Sequence, residues 1–358
     1  MKIAFLNIYN GAINRGAETF VKEVAQRLAD KNEVVVYQAG DKEGFEKYRV
    51  EKIPIGFNWK KKSGAGTLAA RFFVDYWNRL IFLFTLKAIP KIWKEKFNVV
   101  IPVNGGWMPA LLRIVTWLYG GKMIISGQSG IGWDDRNNLW CFPNTFVALS
   151  TKAKLWAKRV MPFVKAVRIP NGVDPKKFKP EGQKYQTRLQ KPIVFCAGAL
   201  TKTKRIDLTI KAVAKMGNAS LLVAAGGGDR EREIKQLGAS LLGKRFELVK
   251  APFNEMPKFY RAADVFTIAS EPYYSFEIVL VEAMASGLPV VANNDLIRRE
   301  IVGRAGVFVD PTNTCAYAIA LENALRLRWG KRPINQAKKF DWDKIAVHYE
   351  KLLGTCNK

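Results

Sequence analysis

Two series of short apolar runs alternating with helix-period segments, joined by a proline-rich bridge, limit this chain more than any other feature. The first series has strand-like runs at Met1–Ile8, Glu33–Gln38, Val99–Val103, Lys122–Ser126 and 146–150. Between the first two, Phe20, Val21, Val24, Ala25 and Leu28 recur at helical spacing, which predicts a helix over about Glu18–Ala29. The stretch V-R-I-P-N-G-V-D-P-K-K-F-K-P (167–180) then interrupts the pattern with three prolines and a glycine, as an interdomain bridge does. Alternation restarts at I-V-F-C-A-G-A-L and runs through predicted helices at Ile206–Met216, Asp229–Leu237 and Met256–Ala262. Strands that alternate with helices make parallel sheets covered by helices. The sequence therefore predicts an α/β protein of two Rossmann-like domains with a cleft between them. The first is placed at residues 1–170 and the second at 171–340, with a helix at 341–358 packing back toward the first.

Within the second series, A-S-E-P-Y-Y-S-F-E-I-V-L-V-E-A-M-A-S-G-L-P-V-V (269–291) reads as strand end, polar loop, helix, glycine stop and next strand. Ser275 suits a helix cap, and Glu277 suits the positive end of the helix dipole in the first turn. A helix N-terminus at the carboxyl end of a strand attracts anions. Glu277 and Glu282 add carboxylates that suit hydroxyl groups, so the stretch fits a ligand carrying both phosphate and hydroxyls. An ordinary loop-helix unit with surface carboxylates fits the local pattern equally well.

Lys and Arg exceed Asp and Glu by 27, which favours a polyanionic partner: nucleic acid, an anionic membrane surface or a phosphate-bearing substrate. A single histidine, His348, argues against Ser-His-Asp chemistry and histidine-rich metal sites. Cys141, Cys196, Cys315 and Cys356 are scattered and read as free thiols of a reducing compartment. The opening M-K-I-A-F-L-N-I reads as a buried strand with no leader ahead of it, and no run is long enough to span a bilayer. A cytoplasmic protein is expected, with peripheral contact at the inner face of a membrane left open.

From Lys47 to Lys96 there are 12 basic and 3 acidic residues, interleaved with aromatics that include Trp59, Trp77 and Trp93. The run L-A-A-R-F-F-V-D-Y-W-N-R-L-I-F-L-F-T-L-K (68–87) reads as helix. Such a composition suits an anionic bilayer surface, or equally a helix packed on the sheet with a basic solvent face. Stacking on single-stranded nucleic acid is a third reading. Farther on, G-Q-S-G-I-G-W-D-D-R-N-N-L-W (127–140) reads as a ligand loop. In it, Gln128 and Asp134 or Asp135 suit an acceptor's hydroxyls, although the acids equally suit a bridge to Arg136.

Several ordered segments together resemble the retaining GT-B glycosyltransferases of family 4 (glycosyl transferases group 1). These are N-R-G-A-E (14–18), the bridge I-P-N-G-V-D-P-K-K-F-K-P, G-A-L-T-K-T-K-R-I-D (198–207), A-A-G-G-G-D-R-E (224–231), R-A-A-D-V-F-T-I-A-S-E (261–271), S-F-E-I-V-L-V-E-A-M-A-S-G-L-P-V-V-A and R-R-E-I-V-G-R-A-G-V-F-V-D-P. The resemblance is dense in the C-terminal half and sparse in the N-terminal half. It implies a nucleotide-sugar donor held mainly by the second domain, with no metal and no bound cofactor; UDP and GDP donors are not distinguished. Lys204 then matches the lysine that neutralises the donor diphosphate, and Glu282 the glutamate that grips the ribose. Phe276, Glu277, Ile278 and Val279 would meet sugar and phosphates at the helix start. Gly16 would close over the diphosphate, and Gly226, Gly227 and Gly228 would line the donor site. The chain departs from the family at Tyr274, where a glutamate is usual, at Glu277, where glycine is common, and at Ala199, where an arginine is usual. Arg205 or Lys202 is then expected to take over that arginine's role.

These observations predict an enzyme that moves a hexosyl group from a nucleotide sugar to a hydroxyl with retention. Lys204, Glu277 and Glu282 would act in catalysis, on a lipid-linked saccharide or cell-surface glycan precursor at an anionic membrane face. A GT-B-shaped scaffold that has lost catalysis is the main alternative, motivated by Tyr274 and Ala199, and a nucleic-acid-binding protein is a more distant one.

Overall fold

A computed structural model describes residues 1–41, 46–61, 64, 67–273 and 276–355. The chain divides into two compact units, Met1–Asn171 with Trp342–Lys358, and Gly172–Asp341.

The first unit holds seven strands: β1 (Lys2–Leu6), β2 (Glu33–Gln38), β3 (Arg49–Lys52), β4 (Val99–Pro102), β5 (Lys122–Ser126), β6 (Thr145–Ala148) and β7 (Ala166–Arg168). They form one sheet in the order β3-β2-β1-β4-β5-β6-β7, every pair parallel. β1, β4 and β6 carry Ile, Val, Ala, Leu and Phe with almost no exposure, as strands covered on both faces must. The helix Gly16–Leu28 buries Phe20, Val21, Val24, Ala25 and Leu28 at the predicted spacing. Trp342–Gly354, the last helix, packs against it, with the rings of Phe20 and Tyr349 5.8 Å apart and Arg27 Nε 2.6 Å from Asp343 Oδ1. His348 points to solvent from that helix.

The run read as one helix over 68–87 is divided. A short helix, Leu68–Arg71, ends before Phe73, whose φ is +55°, and a second, Tyr76–Glu95, begins after Asp75. Asp75 causes the restart: its carboxylate accepts from the backbone N–H of Asn78, giving the new helix its cap.

The second unit holds β8 (Ile193–Ala197), β9 (Ser220–Ala225), β10 (Phe246–Lys250), β11 (Val265–Ile268), β12 (Val290–Asn293) and β13 (Gly306–Val309). Their order is β10-β9-β8-β11-β12-β13, again all parallel. This is the doubly wound Rossmann order. The strand order reverses direction between β8 and β11, which makes the carboxyl ends of these strands the topological switch point of the sheet. The helix Ile278–Ala285, apolar on nearly every side, is buried behind this point. Gly287, at φ +88°, ends the turn that follows it, where a residue with a β-carbon would be strained.

Candidate active site at the switch point of the second unit

Three loops meet at the carboxyl ends of β8, β11 and β12. The first leaves β8 through Gly198, makes a tight turn at Lys202–Lys204 and enters the helix Ile206–Lys215. The second runs from Ala269 to Glu277, and the third from Asn294 into the helix Leu296–Val302. Arg205 joins the first two: its guanidinium donates to the carbonyls of Ala269 at 2.6 Å and Ser270 at 3.1 Å. The Glu271 N–H returns the contact to the Thr203 carbonyl at 2.9 Å. Asn293 Nδ2 also donates to the Ser270 carbonyl, at 2.6 Å. Each loop is thus fixed by the others, and the side chains they carry are positioned before any ligand arrives.

Glu277 is the centre of this arrangement. Its Oε1 lies 2.5 Å from Lys204 Nζ and accepts from the Ser270 hydroxyl, while its Oε2 lies 3.2 Å from an Arg298 terminal nitrogen. The Glu277 and Arg298 side chains are each only 1% exposed, and Lys204 is 13% exposed. Arg298 also donates to the carbonyls of Glu271 and Pro272 and lies 3.4 Å from Asp295. Burial pushes the Glu277 carboxyl up, but the Lys204 ammonium, the Arg298 guanidinium and the hydrogen bonds from Lys204 and Ser270 outweigh it. They hold the group down at about 2, so it is ionised at neutral pH.

The Glu277 backbone has φ 55° and ψ 82°, a left-handed conformation that costs a non-glycine residue roughly 1–3 kcal/mol. Glu277 therefore precedes the helix instead of lying in its first turn, and its carboxylate faces inward toward Lys204. That corrects the reading of a carboxylate facing the helix dipole. Phe276 is buried against Phe340, and the Ile278 side chain is also buried, so at these positions only the backbone is suited to meet a ligand. Tyr274 and Ser275 lie outside the described residues.

Glu282 lies farther along the same helix, 3% exposed, with Oε2 accepting the Tyr260 hydroxyl at 2.7 Å. Burial raises its carboxyl to about 7, against the opposing pull of the Tyr260 hydrogen bond and the Lys177 charge. It thus sits near the midpoint of titration at neutral pH. Gly226 is open to solvent, Gly227 has φ +99°, and a β-carbon on Gly228 would lie 2.3 Å from the Leu200 carbonyl oxygen. The glycines let this turn close on the loop that carries Lys204: Leu200 N donates to the Gly227 carbonyl, and Arg230 N to that of Leu200. Arg205, expected to replace a phosphate-binding arginine, instead spends its guanidinium on backbone carbonyls. Lys202 is exposed beside it.

In the first unit, Gly16 is exposed at the start of its helix. The stretch read as a ligand loop is mostly helical, over Trp133–Trp140. Asp135 is 2% exposed and accepts from Gly130 N at 3.1 Å and Asn138 Nδ2 at 3.0 Å. It holds the preceding loop together, which corrects its assignment to an acceptor. Gln128 is tied to Ser126 and Asn171, and Asp134 remains at the surface. Among the described residues no group of three His, Cys, Asp or Glu side chains is placed to hold a metal ion.

Sequence reasoning missed Arg298, Ser270 and Tyr260. Asp295 caps the helix Leu296–Val302 by accepting from the N–H groups of Ile297 and Arg298, which marks the helix start in sequence but not the reach of Arg298 to Glu277.

Residues 191–326, which contain Lys204, Glu277, Glu282 and Arg298, match the family model described as Glycosyl transferases group 1. An uncharacterized glycosyltransferase of Methanocaldococcus jannaschii is 35% identical over 175 residues, covering 44% of this chain and 43% of that protein. The phosphatidyl-myo-inositol mannosyltransferase of Mycobacterium tuberculosis is 31% identical over 229 residues, covering 58% of this chain and 60% of that protein. The chain spans about half the length of these curated relatives. Among solved structures, Anabaena HepE in complex with UDP and glucose superposes with a TM-score of 0.77 at 17% identity, over 99% of both chains. The fold is the two-domain α/β GT-B type.

Proposed function

We propose that this chain is a retaining glycosyltransferase that moves a hexosyl group from a nucleotide sugar to a hydroxyl acceptor. One observation carries the reading: a nearly buried ammonium, Lys204, stands at the switch point of a Rossmann sheet, beside the N-terminus of the helix Ile278–Ala285. A diphosphate is the ligand such a point cation and exposed N–H groups suit best. Two further facts support it: the family match covers this segment, and the structurally similar HepE is known in complex with UDP and glucose. Lys204 and the helix amides would stabilise charge as the diphosphate departs, and the acceptor hydroxyl would attack the same face of the sugar. Glu282, held on one side by Tyr260, would take the ribose hydroxyls on its other oxygen. Phe276, Ile278 and Val279 would contribute backbone, and the turn at Gly226, Gly227 and Gly228 would border the nucleotide.

Features of the first unit support a reading of the acceptor class. The helices Tyr76–Glu95 and Trp107–Tyr119 lie side by side, with Phe82 against Trp107 at 6.5 Å and Trp93 against Tyr119 at 6.2 Å. Their outer faces expose apolar side chains: Leu83, Leu86 and Trp93 on one, beside Lys87 and Lys94, and Ile114, Trp117 and Leu118 on the other, with Trp117 72% exposed. The only acid on either helix is Glu95, which Arg49 binds. Exposed tryptophans among lysines, with no carboxylate left open, match an anionic bilayer surface. A lipid-linked saccharide at that surface is the acceptor we propose, in keeping with the name of the mycobacterial relative. Among the described residues no helix is long and apolar enough to cross a membrane, so the contact would be peripheral.

The test is sugar transfer from UDP-, GDP- and ADP-linked hexoses to lipid-linked and free saccharides. Transfer to the lipid-linked acceptor, reduced about 100-fold or more in Lys204→Met, is expected. Nucleotide binding without turnover on any acceptor would favour the non-catalytic scaffold, for which Ala199 is the motive.

A further inference from the structure

We infer that Glu277 is a built-in counter-anion that competes with the donor's diphosphate for Lys204 and so sets how readily the spent nucleotide leaves. The inference rests on the donor site proposed above and adds to it a residue that acts against binding.

Four observations carry it. The Lys204 ammonium is already engaged by a carboxylate at 2.5 Å. That carboxylate is almost wholly removed from water, so the attraction between the pair is little screened. Arg298 and Ser270 hold Glu277 from its other sides, and Arg298 is itself fixed by the carbonyls of Glu271 and Pro272. Glu277 also occupies a left-handed backbone position. Such a position persists only where its surroundings over-determine it, and here it goes with a carboxylate placed against Lys204.

An arriving diphosphate must draw Lys204 from this partner or share it, at a fixed cost to affinity. The same pull works in reverse once the sugar has left, because Glu277 recaptures the ammonium as the nucleoside diphosphate departs. Glu277 is a positioning residue in this account: it acts through Lys204 and need not touch the reacting atoms.

The experiment is calorimetric titration of UDP, GDP and the corresponding nucleosides into the full chain, its Glu277→Gln and Lys204→Met variants and the double variant. Glu277→Gly, which also relieves the backbone, guards against a fault particular to glutamine, and melting curves confirm folding. We expect both Glu277 variants to bind the preferred nucleoside diphosphate about tenfold or more tightly, a gain of at least ~1.4 kcal/mol. That gain should vanish in the Lys204→Met background, and nucleoside binding should not change. Turnover limited by product release should slow in Glu277→Gln. Equal or weaker diphosphate binding by both folded variants would overturn the inference while leaving the donor site intact. So would a gain that persists without Lys204. A wild-type chain that binds no nucleoside diphosphate would instead overturn the donor-site reading and this inference with it.

Discussion

Tyr260 donates its phenol to Glu282 across 2.7 Å of buried space, and the carboxyl it meets titrates at about 7. Tyr260 is fully buried, wedged between Phe178, Phe195 and Phe266, so the hydrogen bond cannot swing away. Its partner carboxyl is pushed up from 4.5 by burial. The folded state therefore holds a proton that the unfolded chain releases between pH 4.5 and about 7. Stability contributed by Glu282 is complete below 4.5 and is lost as pH rises through about 7. Urea midpoints of the wild type should fall over that interval, and Glu282→Gln should flatten the slope.

The same titration bears on the ligand. In the proposed site, ribose hydroxyls donating to Glu282 would favour its ionised form, so nucleotide affinity should rise as pH is raised through about 7. Calorimetry in buffers of different ionisation enthalpy should show a proton released on binding. Uptake of a proton, or none, would remove Glu282 from the ribose site.

Glu277 has the opposite sense. With its carboxyl depressed to about 2, the stability it contributes is present above 4.5 and is lost as pH falls through about 2. Acid unfolding should begin at higher pH in a chain whose other carboxylates are unchanged but whose Arg298 is replaced. Arg298→Met should also cost about 3–5 kcal/mol at neutral pH, because it leaves a buried carboxylate with one partner fewer. Urea denaturation measures this directly, and a loss below ~1 kcal/mol would mean the pair is far better solvated than its burial implies.

The alternation of strands and helices was legible where strands are short apolar runs and helices repeat their buried positions every three or four residues; the edge strand β3, R-V-E-K, has no buried residue and left no such trace. Met256–Ala262 and Lys122–Ser126 emerge with the bounds expected of them. The charge cluster around Glu277 was not legible. Arg298 lies 21 residues away and reaches Glu277 only because β11 and β12 are neighbours, and the left-handed backbone that aims the carboxylate leaves no periodic trace. Asp134 and Asp135 looked alike in sequence. A turn of helix places Asp135 under Gly130 and leaves Asp134 outside, a distinction set by tertiary packing. The exposed apolar face of Trp107–Tyr119 was likewise hidden, since Ile114, Trp117 and Leu118 alternate with the buried Leu112, Val115 and Thr116 and nothing local marks them as outward.

That outer face gives a further prediction. Wild-type chain should sediment with vesicles containing phosphatidylglycerol and not with phosphatidylcholine alone, and salt should weaken the binding. Ile114→Glu with Trp117→Glu should abolish it without lowering the melting temperature, since both side chains are exposed. Lys87→Glu with Lys94→Glu should weaken it. Equal binding to both vesicle types would mean the basic residues do not direct the contact.

Lys204 is proposed to anchor a nucleoside diphosphate at the switch point of the second unit. The most direct test is a thermal-shift titration with UDP, GDP and ADP on the wild type and Lys204→Met, since a ligand that binds only the folded state raises its melting temperature. A concentration-dependent rise with one of the three nucleotides, lost in Lys204→Met, is expected. A rise of equal size in both proteins, or none in the wild type with any nucleotide, would contradict this role.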